Sequence, residues 1–188
     1  MHNTEYKEYG ILSPVHFAGD EKSYDFGFKR FCNIKDLQLK KAQGVDLLEV
    51  DEINGAFMML RMKCLKVVRG FDPVFYFYGE DIDLCQRAKK NGFKIGVVIK
   101  ALSYHDRAER PLTNERLFLH ITANHLIQIK SMSDSSFLIR FVKALFSAFF
   151  LSGGDFLHGR FRRSYLYVKL VPYLLNKKKE IKSAVQNY

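Results

Sequence analysis

Apolar and polar positions alternate along the front of the chain and then change period. Gly10 to Phe17 (GILSPVHF) has the pattern of a strand and GDEKS at 19–23 that of a turn. Asp25 to Phe31 (DFGFKRF) alternates like a strand returning from it. Val45 to Asp51 and Ala56 to Met62 predict two further short strands, and Lys63 to Arg69 a short helix stopped by Gly70. Tyr78-Gly79-Glu80-Asp81 opens a helix that runs to about Asn91, where Asn91-Gly92 ends it. Phe93 to Ile99 (FKIGVVI) predicts a buried strand and Leu102 to His105 a short one, with a loop at 106–113. From Asn114 the period is helical, with pieces expected at about 114–131, 135–151 and 156–178, separated by SMSDSS and SGGD.

This order implies an α/β class, or α+β if the front segment stands by itself. A small mixed sheet precedes a helical tail, in two structural layers with a boundary between 1–112 and 113–188. A chain of 188 residues with 47% apolar and 14% aromatic residues can fill a core. The middle helix of the tail, FLIRFVKALFSAFFL at 137–151, is apolar nearly all round. Fifteen residues with Arg140 and Lys143 among them fall short of the ~20 needed to span a bilayer. The helix could lie in a membrane interface, backed by Arg160, Arg162, Arg163, Lys169 and Lys177 to Lys179, or pack against its neighbours.

Charge sharpens the contrast between front and tail. Residues 1–106 carry 16 Lys/Arg against 15 Asp/Glu, and residues 107–188 carry 14 against 5. Nearly all of the net +10 therefore sits in the tail, which suits an anionic partner such as an anionic membrane surface or a diphosphate, or is simply a solvated basic face. No nucleic-acid motif accompanies the charge, so nucleic acid is not an expected partner. Cys32, Cys64 and Cys85 are odd in number and far apart, which argues against a zinc site or a disulfide framework and for buried thiols. With a polar start, MHNTEYKEYG, that lacks the apolar run of a signal peptide, the expectation is a cytoplasmic protein, peripheral on the inner membrane face through its basic tail.

The chemistry-bearing cluster is Glu80, Asp81 and Asp83, three carboxylates within four residues at an expected helix start. A helix N-terminus favours their ionised form, and an ionised carboxylate can take the proton of an attacking hydroxyl. From these residues alone, an acidic helix cap with Asp83 bonded to Arg87 at i,i+4 is an equally open reading.

The wider pattern carries a resemblance. Asn54-Gly55-Ala56 precedes apolar FMML and Arg61, followed by Gly70-Phe71-Asp72 and FYFYGEDIDLCQRAKKNGF. A strand ending in His105 completes it. Over roughly 50–106 this order resembles the C-terminal half of the catalytic domain of family 2 glycosyltransferases of the A-type fold, closest to bacterial rhamnosyltransferase-like members. The resemblance implies an inverting transfer from a nucleotide-sugar donor to a saccharide or lipid-linked acceptor, as in cell-surface polysaccharide biosynthesis. It implies that Asp81 is the general base, that Glu80 bonds a sugar, and that Asp83 with Arg87 braces the helix. Asn54, Gly55 and Ala56 would line the sugar pocket, Arg107 and Arg110 would clamp donor phosphates, and His105 would ligate Mg²⁺ or Mn²⁺. It also implies a preceding nucleotide-binding βαβ half with its own Asp-x-Asp motif, of which no strand is visible before residue 10. The expectation is thus an acceptor-side half, truncated and inactive alone or completed by a complementing N-terminal half on another chain. The alternative is a non-catalytic binding or scaffold module derived from such an enzyme. Without the other half, strands at 10–17 and 56–62 would leave a sheet edge unpaired.

Overall fold

In a computed structural model the structure describes residues 6–106, 113–130 and 135–186. The chain divides into two compact units, one of Met1–Phe71 with Asp81–Arg110, the other of Asp72–Glu80 with Pro111–Tyr188.

The first unit is built on β1 (Tyr9–Ala18), β2 (Leu47–Val50), β3 (Met59–Leu60) and β4 (Lys94–His105), in the order β2-β4-β1-β3. β1 and β4 run parallel at the centre, while β2 and β3 pair antiparallel at the edges. The mixed sheet and the helices behind it bear out the expected class. β1 is therefore flanked by β4 along its length and by β3 only at Ile11 and Leu12, so the open edge expected at residues 10–17 is corrected over that stretch alone. The two segments expected at 93–99 and 102–105 are one strand with a bulge. The partner of Pro14 is Val98, and the partner of Val15 is Leu102. Proline has no N–H to give the ladder, so the pairing slips where Pro14 stands.

Two other strand expectations are corrected. Asp25 to Phe31 is not a strand but α1 (Phe26–Phe31), because Asp25 Oδ1 accepts the Phe28 N–H at 3.0 Å and caps a helical turn. Ala56 to Met62 pairs only at Met59–Leu60. The Asn54 side chain accepts the Ala56 N–H at 2.8 Å and turns the backbone before it, and Met62 already belongs to α3 (Met62–Val68). α3 ends as expected, with Arg69 and Gly70 in the left-handed region. A helix the pattern did not announce, α2 (Ile34–Ala42), is capped by Asn33 on the Lys35 N–H. α4 (Glu80–Lys90) packs Leu84, Cys85 and Ala88 against Ile11 and Val15 of β1 and Ile95 and Val97 of β4. Each Leu, Ile or Val among them, once buried, contributes about 1.5–3 kcal/mol.

The second unit contains α5 (Asn114–Lys130), α6 (Phe137–Leu157) and α7 (Phe161–Gln186) around Leu126, Ile129, Phe141, Leu170, Leu174 and Ile181. The break expected at SGGD does not occur, and α6 runs through Gly153 and Gly154. Glycine costs a helix about 1 kcal/mol per residue. Flanking anchors offset this: Ser152 donates to the Ser164 carbonyl at 3.1 Å, and buried Asp155 meets Arg160 at 2.7 Å and Arg163 at 3.3 Å. The chain turns instead at His158-Gly159, where Gly159 has φ +70°. α6 is thus 21 residues and, by length and composition, long and apolar enough to cross a membrane, which corrects the fifteen-residue expectation.

Candidate functional site

In the first unit the polar chemistry gathers around the loop that follows Ile53. Gly55 donates its N–H to Asp81 Oδ2 at 2.9 Å, and Asp81 Oδ1 accepts the Ile82 N–H at 2.8 Å. The carboxylate of Asp81 is thereby held at a fixed angle at the start of α4, half-buried, in the favourable field of the helix N-terminus. Asn54 spends its side-chain oxygen on the Ala56 N–H, so the 54–56 turn is rigid independently of any ligand.

The other end of that loop reaches two imidazoles. The Phe57 ring lies edge-on to His105 at 6.3 Å and to His16 at 5.3 Å. His16 is fully buried, with Nε2 2.8 Å from Ser13 Oγ. His105 is partly exposed and sits with Nδ1 3.7 Å from Oδ2 of buried Asp25. One loop therefore connects Asp81 with His105.

Asp83 points the other way. Its Oδ2 accepts from Arg87 Nε at 2.8 Å and lies in ion-pair contact with Nη2 at 2.8 Å, and Arg87 Nη1 donates to the Val68 carbonyl. Both side chains are buried. Of the three expected acids, then, Asp83 lies with Arg87 in the core and Asp81 faces the loop. Glu80 opens α4 and is half-buried. Arg107 and Arg110 lie outside the described residues.

Three participants escaped the sequence reading. Glu52 accepts from Gln86 at 3.4 Å, and burial pushes its carboxyl above the ordinary value against that bond, with the Asp81 and Asp51 charges adding to the rise. Its signal was position, two residues before Asn54. Asp25 was read as the start of a strand, and His16 only as a position within one.

Within the second unit, Tyr78 is a non-glycine residue at φ +66°, followed by Gly79 at +84°. Such a backbone costs on the order of 1–3 kcal/mol and needs its surroundings to hold it. Here the Tyr78 ring stacks on His120 at 3.6 Å between centroids, and its hydroxyl accepts from Arg116 Nη2 at 3.0 Å. Asp72 of the GFD motif caps the Val74 N–H and pairs with buried Lys130.

A Mg²⁺ or Mn²⁺ ion finds no protein donor set here. Among the described residues no three His, Cys, Asp or Glu side chains come together, and the Asp25 carboxylate that faces His105 with Oδ2 spends Oδ1 on capping α1.

Comparison with known proteins finds two likenesses. A family profile described as the N-terminal domain of galactosyltransferase matches residues 46–109, the stretch holding Glu52, the 54–57 loop, α4 and His105. The chain is also 26% identical over 149 residues to rhamnosyltransferase WbbL of Escherichia coli (strain K12), covering 71% of this chain and 56% of that protein. The chain thus spans little more than half the length of the curated relative it matches. Over these stretches it is similar to glycosyltransferases.

Proposed function

We propose that this chain supplies the acceptor side of an inverting glycosyl transfer, with Asp81 as the general base. The observation that carries the reading is the different fate of neighbouring acids. Asp83 is buried against Arg87, whereas Asp81 is only partly buried and is aimed by the Gly55 N–H. In the proposed step an acceptor hydroxyl attacks the anomeric carbon of a nucleotide sugar, the bond to the diphosphate breaks, and the hydroxyl proton passes to the Asp81 carboxylate. Glu80 bonds a sugar hydroxyl, and the rigid 54–56 turn forms the floor on which the sugar rests. Hexosyl or rhamnosyl transfer to a saccharide or lipid-linked acceptor, at the cytoplasmic side of a membrane, is the substrate class this reading selects. The donor diphosphate is held by groups other than those described, such as a complementing segment, and no step is routed through a metal.

The test is release of nucleoside diphosphate from a panel of nucleotide sugars with saccharide and lipid-linked acceptors, with and without a nucleotide-binding segment added in trans. Asp81→Asn, which keeps an oxygen for the Gly55 N–H, should lower transfer by about 10²–10⁴-fold with unchanged melting. Turnover that survives Asp81→Asn would remove the base assignment. A second reading, a binding module without turnover, is favoured by the lack of a grouped metal donor set among the described residues. It requires calorimetric binding of the acceptor that Asp81→Asn leaves intact, with no diphosphate released under any condition.

A further inference from the structure

The second unit carries an apolar surface that the acceptor-site chemistry does not use. α6 is divided along its length. Phe141, Ala144, Ala148, Ser152 and Asp155, at helical spacing, face inward and are buried. The opposite arc is apolar, with Phe146, Phe149, Phe150 and Leu157 exposed, Phe150 to 71% and Leu157 to 83%. At 100° per residue, Arg140 and Lys143 fall on one flank of that arc and not within it. α7 extends the surface with exposed Phe161, Tyr165 and Val168. A groove of about 610 Å³ between Phe149, Gly153 and Phe156 of α6 and Val168 and Pro172 of α7 joins the two faces. No atom lies within 4 Å of where a Gly153 Cβ would stand, so glycine keeps this groove open. An apolar face this wide marks an interaction surface.

The charge around it selects the occupant. Residues 135–186 hold ten Lys/Arg against two Asp/Glu, and Asp155 is already taken by Arg160 and Arg163. At the α6–α7 turn, Phe156, Leu157 and Phe161 alternate with Arg160, Arg162 and Arg163. We infer that this α6–α7 face docks on the surface of an anionic lipid bilayer, with α6 lying in the headgroup plane. A second copy is a poor occupant, since pairing two such faces brings together two segments of net +8. Crossing the bilayer is a poorer use of α6 than lying on it. A crossing would place Asp155 and its two arginines, together with Arg140 and Lys143, at the membrane. The inference stands apart from the glycosyl-transfer reading, because it uses neither Asp81 nor its loop.

The experiment is co-sedimentation of the whole chain with vesicles of phosphatidylcholine alone or with phosphatidylglycerol added. Binding is expected to the anionic vesicles, to fall as salt rises, and to be extracted by alkaline carbonate. Phe150→Asp should lower the partition about tenfold or more, and Lys179→Ala with Lys182→Ala about fivefold per charge. The two lysine changes lie on the surface, so they test the idea even if the phenylalanine variant is poorly folded. Equal binding to neutral and anionic vesicles, or carbonate-resistant insertion, would overturn it. So would a dimer broken by Phe150→Asp in a protein that ignores vesicles.

Discussion

The buried pair of Asp83 and Arg87 offers the sharpest test of how the acidic helix works. Arg87 is 2% exposed and Asp83 4%, and the guanidinium spends two nitrogens on Asp83 and a third on the Val68 carbonyl. Arg87→Met fills a similar volume but strands the Asp83 carboxylate in the core and leaves the α3 terminus one donor short. Removing one member of a buried ion pair costs about 3–5 kcal/mol, against a total stability of ~5–15 kcal/mol for a typical domain. For a unit of about 100 residues each kcal/mol shifts Tm by ~4–8 °C, so a fall of at least ~12 °C is expected. Asp83→Leu should cost a comparable amount. The double variant Asp83→Leu/Arg87→Met removes both charges and should recover most of the loss, with a coupling of about 2–3 kcal/mol. Since the chain has no tryptophan, urea unfolding is followed by far-UV circular dichroism and tyrosine fluorescence. High salt should leave the single-variant losses unchanged, because the pair is shielded from ions. Single variants within about 1 kcal/mol of the parent, or losses that simply add in the double, would refute the bracing role.

Two further expectations concern titration. Burial holds the His125 ring below its ordinary value of 6.5, with the Ile121 carbonyl opposing the effect, so the unfolded chain binds more protons in this range. Stability of the helical unit should therefore fall as pH drops through about 6.5, and His125→Gln should flatten that limb in denaturation curves taken at a series of pH values. Burial also pushes the Cys32 thiol up to about 11 and Cys85 to about 12, and raises Cys64. At pH 8 the native chain should give almost no reaction with Ellman's reagent and three thiols per chain in denaturant; prompt native labelling would contradict the packing of α4.

How much was legible depended on whether a residue's role is settled locally. β1 and α4 were readable because the apolar period of GILSPVHF and the Gly79 start with an Asn91-Gly92 stop are local signals. DFGFKRF was misread because seven residues fit either period, and the deciding fact is one hydrogen bond from the Phe28 N–H to Asp25. α2 was missed because Leu37 is its buried residue, too narrow an apolar stripe to show a period. The SGGD break failed because Asp155 draws its arginines from the start of the next helix. At the site, the association of Asp81 with Asn54-Gly55-Ala56 was visible as an order of motifs. The approach of Asp25 to His105 and the burial of Glu52 were not, since both follow from how the sheet and α1 come together.

The parallel pairing of β1 with β4 also constrains the route by which the chain acquires its shape. Val15 finds its partner in Leu102, and Ala18 in His105, each 87 positions later. Such distant pairings make folding slow, because the loop must close before any contact rewards it. On a ribosome adding ~5–20 residues per second, β1 would be displayed for seconds with only the two-residue β3 to cover one side. Its run of Ile11, Leu12 and Val15 is then the segment a chaperone, or another nascent chain, meets first. Yield in cells should accordingly be limited by the interval before β4 emerges, and synonymous changes that slow translation between residues 60 and 94 should lower soluble yield without altering the melting of the purified protein.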